Sequence, residues 1–243
     1  MSWWNYMHEG STFSWFGTAH ITVWVIIIFL SGCIIGGRDF LSRKHSRHLI
    51  PLVFITIFIL SELSFQVFYV TNGIWHISYS LPLHLSSIAW ITSTLTLLTK
   101  HNIWFEITFL AGFGSAVLAL LTPDLAAFGF PHYRFFHFFL THGLIILVVF
   151  YLLFVEKMFI SFRSVFRVWG ILNIYALAVF FFNLAIDGNY MYLMNKPAQT
   201  TPFDWFGPWP YYIISLEVFT FAMFLLIYGI YKAVSSLSYI RSR

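Results

Sequence analysis

The chain has 243 residues, of which 59% are hydrophobic, 22% aromatic and only 9% charged. This composition is far from that of a soluble domain, and it indicates an integral membrane protein. The formal net charge of +4 comes from short connections between apolar segments rather than from one face of a soluble module. It therefore excludes nucleic acid as a partner and favours contact with membrane lipids.

Seven apolar segments follow one another along the chain. Each is about long enough to cross a ~30 Å hydrocarbon core at 1.5 Å per residue. They predict an all-α, polytopic membrane protein, a seven-transmembrane-helix bundle that forms one domain over residues 1–243. The predicted spans cover residues 19–37, 49–71, 83–99, 103–122, 136–156, 168–186 and 211–234.

The basic residues divide unevenly between the two sides of this predicted bundle. All but two of the 13 Lys and Arg residues fall on the side where the first span ends. Only Arg134 and Lys196 fall on the other side. Because basic residues near span ends stay in the cytoplasm, the N-terminus is predicted to lie outside and the C-terminus inside. We expect a multi-pass protein of the plasma membrane.

Polar side chains inside the spans concentrate in the predicted outer half. An ionisable group in hydrocarbon is costly and usually faces the bundle interior, so we expect these side chains to line one outward-facing cavity. The cytoplasmic half holds little beyond Glu106 and Asn173. The candidate binding residues of the outer half are His20, Glu62, Gln66, His137, Asn183, Asp187 and Glu217, beside His84, Ser86, Asp124 and His142.

Metal and thiol chemistry fit this set poorly. His137 and His142 are five residues apart, which places them about 140° apart around a helix rather than on one face. No span contains a His-x-x-x-His pair. Cys33, the one cysteine, lies near the inner end of the first span, and we interpret it as a packing residue. We predict no metal and no other cofactor.

Nucleophilic catalysis is one chemistry that the remaining groups could support. It needs a hydroxyl or thiol beside a base, with a third group that orients the base. His84 and Ser87 are three residues apart on one helical face, with Ser86 adjacent, and Asp124 and His142 could approach from neighbouring helices. Alternatively, the outer carboxylates and histidines could bind a small polar or amphipathic solute for transport.

Four short motifs resemble those of a known family. Residues 81–88 contain a Pro-x-His segment, Pro82 to His84, that resembles the start of the third span in the YwaF-like bacterial membrane proteins, relatives of transmembrane protein 164. The stretches 16–20, 119–124 and 130–143 look similar to further motifs of that family, in the same order. The resemblance implies a seven-helix fold and, from the eukaryotic branch, a membrane-embedded acyltransferase that acts on glycerophospholipids.

The family's cysteine nucleophile does not carry over to this chain. The eukaryotic branch relies on a cysteine beside the Pro-x-His histidine, and many bacterial relatives carry one two residues after it. The matching positions here are Leu83 and Ser86, whereas His84, His142 and Asp124 do carry over. Either Ser86 replaces that cysteine as the nucleophile, or this chain keeps the pocket without thiol chemistry. We favour the first and predict a lipid acyltransferase or lipid hydrolase in which Ser86 attacks and His142 is the base. In this hypothesis His84 positions a carbonyl or phosphate oxygen, and Asp124 orients a histidine.

Overall fold

The computed structural model describes residues 3–7, 12–125, 127–196 and 202–241, without the side chains of residues 202–203 and 236–241. Arg243, one of the basic residues counted above, lies outside these ranges. Within them the chain is helical and contains no strand. The predicted all-α fold class is confirmed.

Seven helical rods account for most of the chain. Six of them are long and apolar enough to cross a membrane, whereas Leu85–Thr99 is apolar but shorter, so the count of seven crossings stays a prediction. A π-helical segment, Thr108–Phe113, joins α5 and α6 into one rod, and short 3-10 turns lie at Tyr190–Tyr192 and Pro202–Phe206. The α-helices are α1 (Thr18–Gly36), α2 (Arg38–Leu41), α3 (Lys44–Thr71), α4 (Leu85–Thr99), α5 (Asn102–Ile107), α6 (Gly114–Leu121), α7 (Tyr133–Phe154), α8 (Phe162–Ile186) and α9 (Tyr211–Arg241).

One end of the bundle is held together by ion pairs, and we call it the basic end. Glu156, just after α7, pairs with Lys100 after α4 and with Arg47 in the first turn of α3. Arg167 near the start of α8 pairs with Glu106 of α5. Hence α4 and α7 end here, and α3, α5 and α8 begin here. This end is the one predicted to face the cytoplasm.

Glu156 is the most heavily hydrogen-bonded side chain of the basic end. Its Oε2 accepts from Arg47 Nε at 3.0 Å and Nη2 at 2.7 Å, and its Oε1 accepts from Lys100 Nζ and Tyr151 Oη, each at 2.9 Å. Burial raises the pKa of the Glu156 carboxyl, but the hydrogen bonds from Arg47 and Lys100 outweigh it and hold that pKa below its usual range. The carboxylate therefore stays charged while it ties α3, α4 and α7 together.

The opposite end, which we call the distal end, is closed by hydrogen bonds to main-chain carbonyl groups. His20 near the start of α1 bonds through Nε2 to the Leu120 carbonyl at the end of α6, at 2.8 Å. The Tyr133 amide at the start of α7 donates to the Trp3 carbonyl at 2.9 Å. The rods therefore alternate in direction, and α4 and α7 run parallel from the distal end toward the basic end.

Small residues set the closest helix approaches in the core. A Cβ placed on Gly112, in the π segment, would lie 3.1 Å from Ala89 Cβ of α4 and 3.8 Å from Ile145 Cγ2 of α7. A Cβ on Gly143 of α7 would lie 3.0 Å from Ile27 Cδ1 of α1. Such contacts let backbones approach, which is how helices associate in the absence of a hydrophobic driving force between them.

The start of α4 lies well inside the bundle rather than at its distal surface. Ile145 of α7 lies level with Ala89 in the first turns of α4, because both residues are close to Gly112. Ile145 is also about 18 Å of axial rise beyond Tyr133, where α7 begins. The non-helical connection 72–84 must therefore descend from the end of α3 to this depth. Gln66 of α3 holds it there by donating to the Ser80 carbonyl at 2.9 Å.

Candidate functional site

Two of the predicted catalytic residues lie at the same depth in the bundle. Ser86 precedes Ala89 by about one turn of α4, and His142 precedes Ile145 by about one turn of α7. Residues three apart share a helical face, and the two helices run parallel. Ser86 and His142 therefore both lie one turn to the distal side of the close approach at Gly112.

Hydrogen bonds to the backbone place the ring proton on different nitrogens in His142 and His84. His142 Nδ1 lies 2.7 Å from the Phe138 carbonyl. A carbonyl only accepts, so Nδ1 carries the proton and Nε2 of the neutral ring is an acceptor. His84 Nδ1 instead accepts from the Met191 amide at 3.3 Å, which leaves Nε2 of its neutral ring as the donor. One ring thus offers a base and the other a hydrogen-bond donor.

The Ser86 hydroxyl makes no hydrogen bond within the described residues. Several other hydroxyls of α4 donate to carbonyls of their own helix, as Ser93 does to Ala89 at 2.6 Å, whereas the Thr94 hydroxyl is buried without a partner in the described residues. No hydrogen bond joins Ser86 to His142 or to His84 in this part of the chain. Catalytic hydrogen bonds are often long until substrate binds. The pairing of Ser86 with His142 therefore stays a prediction, and the Ser86 hydroxyl has no other partner in the described residues.

The connection after α8 fixes the position of His84. Asn183 is only 1% exposed; its Oδ1 accepts from the Tyr190 amide at 2.9 Å and its Nδ2 donates to the Tyr190 carbonyl at 3.0 Å. The Tyr190 hydroxyl in turn donates to the Ile77 carbonyl at 2.5 Å and accepts from the Leu81 amide at 2.8 Å. Its ring packs against His84, with centroids 5.3 Å apart. Asn183, a predicted binding residue, thus has its amide engaged in positioning His84.

Two further predicted binding groups form structural networks near the distal end. Both ring nitrogens of His20 are used within the protein, because Nδ1 accepts from the Phe16 amide at 3.1 Å and Nε2 binds the Leu120 carbonyl. Glu62 and Gln66 share one face of α3 as predicted, and Gln66 Nε2 donates to Glu62 Oε1 at 2.7 Å. These contacts join α1 to α6 and α3 to the connection before α4.

The remaining predicted residues make contacts that do not involve Ser86. Asp187 and Asn183 line a cleft of about 400 Å³ at the distal end of α8. Glu217 of α9 accepts from Asn173 Nδ2 at 2.9 Å. The two side chains therefore lie at one depth, whereas the sequence predicts Glu217 in the outer half of the membrane and Asn173 in the cytoplasmic half. His137 stacks on Phe65, with centroids 4.2 Å apart.

Asp124, predicted to orient a histidine, is an exposed residue after α6. It makes no hydrogen bond to a histidine within the described ranges. Its carboxylate interacts electrostatically with Arg134 and Tyr192. The orienting role therefore stays a prediction.

Arg134, in the first turn of α7, is a further candidate site residue that the sequence analysis did not predict. Its guanidinium carbon lies 4.8 Å from the Phe65 ring centroid and 5.7 Å from that of Phe128. Its Nε is buried and has no hydrogen-bond partner among the described residues. The sequence offers a signal for it, because Arg134 is one of two basic residues on the side of the polar cluster. Its charge interacts with His84, His137 and His142.

The described residues contain no group of three His, Cys, Asp or Glu side chains placed to share a metal ion. The candidate site residues are instead a hydroxyl, two histidines and a cation, carried by apolar rods. Such a bundle defines a polytopic helical membrane protein.

The chain belongs to the TMEM164 family, whose sequence profile matches residues 15–228. The predicted relationship to transmembrane protein 164 is therefore confirmed. Neither a curated protein nor a solved structure matches this chain.

Proposed function

We propose that this protein is a lipid acyltransferase or lipid hydrolase of the plasma membrane, with its active site around Ser86 at the start of α4. The observation that carries the proposal is the complementary pair of histidines. His142 presents an unprotonated Nε2 and His84 a protonated one, and acyl transfer needs one group of each kind. The basic end faces the cytoplasm and the site opens to the other side.

The proposed reaction begins with attack of Ser86 Oγ on an ester carbonyl carbon of a phospholipid. His142 Nε2 takes the hydroxyl proton as the new bond forms, and His84 Nε2–H donates to the carbonyl oxygen as it gains negative charge. The bond to the lipid's alcohol oxygen then breaks, and that oxygen leaves with the proton from His142. An acceptor hydroxyl, or water in the case of hydrolysis, releases the acyl group from Ser86 by the same steps in reverse.

The depth of α4 supports this function. Non-helical backbone at membrane depth is tolerated only where protein surrounds it or where it lines a cavity. The connection before α4, held by Gln66 and Tyr190, is such a segment, and it ends at His84. In this proposal the ester of the lipid lies on the distal side of this helix start, next to Ser86 and His84.

A transporter or binding protein for a small polar or amphipathic solute is the second candidate. The cleft at Asn183 and Asp187, also lined by Asn189, Asn195 and Trp209, favours it, because amide and carboxylate groups suit a polar solute. Against it, the acidic groups at the basic end are occupied: Glu156 and Glu106 are held by cations. A polar path to that side would require these pairs to break.

The test is acyl transfer or release from a labelled lysophospholipid by the purified protein in phospholipid vesicles. Ser86→Ala and His142→Ala should each lower the rate by several orders of magnitude. Ser86→Cys should retain activity, since many bacterial relatives are expected to carry a thiol at that position. Ser93→Ala is the matched control, because that hydroxyl is bound to its own helix. Parent-like turnover by Ser86→Ala would refute this mechanism, and solute uptake that depends on Glu62 or His142 would establish the transporter.

A further inference from the structure

Arg134 carries hydrogen-bond donors for which the described residues provide no partner. A guanidinium has five N–H donors, and no side-chain hydrogen bond of Arg134 occurs within the described residues. Its Nε is moreover shielded from solvent. An unsatisfied buried donor costs about 1–3 kcal/mol, and more when the group is charged. Such a group in a folded protein calls for a partner outside the chain.

The other cations of the structure differ from Arg134. Among those whose side chains are described, only Arg134 and Lys196 are partly buried, and Lys196 lies 3.9 Å from Asp204 Oδ1. Arg134 has no acidic oxygen within 4.0 Å in the described part of the chain, although the Asp124 carboxylate is near enough to interact electrostatically. Arg134 is thus the one partly buried cation of this set that lacks an ion pair.

The surroundings of Arg134 suit an anion. The rings of Phe65 and Phe128 flank the guanidinium and hold it in one place. Tyr69, which also interacts with Arg134, has a hydroxyl without a hydrogen-bond partner in the described residues. A planar guanidinium fork binds two oxygens of a phosphate at once, and the tyrosine can donate a further hydrogen bond.

We propose that Arg134 anchors a phosphate-binding subsite, and that the phosphate belongs to the headgroup of a lipid substrate. Arg134 lies in the first turn of α7, at the distal end, where the headgroups of a membrane spanned by these rods would lie. His142 follows it on the same helix, about 12 Å of axial rise farther in. The choice of a lipid as the carrier of the phosphate rests on the proposed function, but binding at Arg134 does not require turnover.

Binding of radiolabelled oleoyl lysophosphatidic acid to the full-length protein in an uncharged detergent tests this proposal. The parent should bind saturably, and Arg134→Gln should weaken binding about tenfold or more, since hydrogen bonds to charged groups are the strong ones. Arg134→Lys should lose only part of this affinity. Lys196→Gln is the matched control, because that cation already pairs with Asp204, and it should leave affinity unchanged. Asp124→Asn should tighten binding, because it removes a repelling carboxylate.

Competitors identify the source of the phosphate. Mono-oleoylglycerol, which has the chain without the phosphate, should compete poorly. If glycerol 3-phosphate competes as well as the lysolipid, the phosphate site stands and its ligand is a soluble phosphate ester. Unchanged binding by Arg134→Gln, or equal competition by mono-oleoylglycerol, would overturn the proposal. Melting temperatures control for folding: Arg134→Gln should melt no lower than the parent, because it removes an unpaired cation.

The two proposals can fail separately. If the lysolipid binds through Arg134 but no acyl transfer occurs in the vesicles, the phosphate subsite stands and the enzyme does not. If acyl transfer depends on Ser86 while Arg134→Gln binds and reacts like the parent, the enzyme stands and the subsite does not.

Discussion

The contact that brings Ser86 and His142 to one depth can be tested by exchanging a methyl group between the two helices. Gly112→Ala adds a methyl group to the π segment, and Ala89→Gly removes one from α4. A Cβ on Gly112 would lie 3.1 Å from Ala89 Cβ and 3.5 Å from Ala89 Cα, and the first distance is too short for two carbon atoms at rest. Alanine has no side-chain torsion through which it could yield. In Gly112→Ala, therefore, the π segment and α4 must move apart.

The expected size of the effect comes from two opposing contributions. Overpacking of this kind costs about 1–3 kcal/mol, whereas replacing Gly with Ala in a helix returns about 1 kcal/mol. Gly112→Ala should thus lower the free energy of unfolding by up to about 2 kcal/mol. Gly170→Ala on α8 is the matched control, because nothing lies within 4 Å of its added Cβ, and it should be neutral or stabilising.

The second half of the test adds Ala89→Gly to Gly112→Ala. The double variant removes the clashing methyl and leaves only Ala89 Cα, at an ordinary contact distance of 3.5 Å. Its stability should return toward that of the parent, with a coupling energy of about 1–3 kcal/mol between the two changes. Lipid turnover should fall in Gly112→Ala and recover in the double variant, because Ser86 moves with α4.

The measurement is unfolding of the purified variants in mild nonionic detergent by titration with a denaturing detergent, followed by tryptophan fluorescence. The parent, both single variants, the double variant and Gly170→Ala are compared under one condition. If Gly112→Ala is as stable as Gly170→Ala, or if the two changes at Gly112 and Ala89 are additive, then α4 does not approach the π segment as closely as described.

Two further predictions concern the basic end. Glu156→Gln should lower the free energy of unfolding by about 2–3 kcal/mol, less than for a fully buried pair because Arg47 and Lys100 are partly solvated. Since the pKa of the Glu156 carboxyl is lowered in the folded state, its contribution is fully present above the ordinary glutamate pKa of about 4.3 and is lost as pH falls through the lowered value. Unfolding measured between pH 3 and 7 should therefore show a loss of stability at low pH that is smaller in Glu156→Gln. Orientation can be tested with a fused reporter that is active only in the cytoplasm: it should work in the 38–44 connection and fail in 189–196. Activity in 189–196 would contradict the predicted orientation.

Most of the fold could be predicted because hydropathy reports helices of this length directly. The observed helices differ from the predicted segments chiefly at the basic end, where α3 begins at Lys44 and α8 at Phe162, ahead of the predicted 49 and 168. Basic residues in these first turns end the apolar signal but do not end the helix. The π segment escaped prediction, because one inserted residue does not alter the hydropathy of Thr108–Phe113.

The candidate site was harder to predict, because the depth of a residue in the membrane does not specify which side chains or backbone groups it contacts. Glu62 and Gln66, which the sequence predicts to share one face of a helix, are joined by a hydrogen bond. The sequence could not reveal that Asn183 is occupied by Tyr190, since that bond depends on how the connection after α8 folds back. In the sequence, Arg134 indicates only on which side of the membrane its segment lies. The packing around it is needed to show that its Nε has no hydrogen-bond partner among the described residues.

The unequal burial of the rods determines which of them tolerate amino-acid substitutions during evolution. In the apolar window of α7, 61% of the residues are buried, against 17% in α1 and 6% in α9. Substitutions among Leu, Ile, Val and Phe on the exposed faces of α1 and α9 exchange one apolar surface for another next to lipid tails of the same polarity. In α7 the same exchanges meet Ile27 or Gly112 at close range, where a single methylene alters the packing. Homologues should therefore diverge fastest in the first and last helices, and a library that seeks new function without loss of folding can begin there.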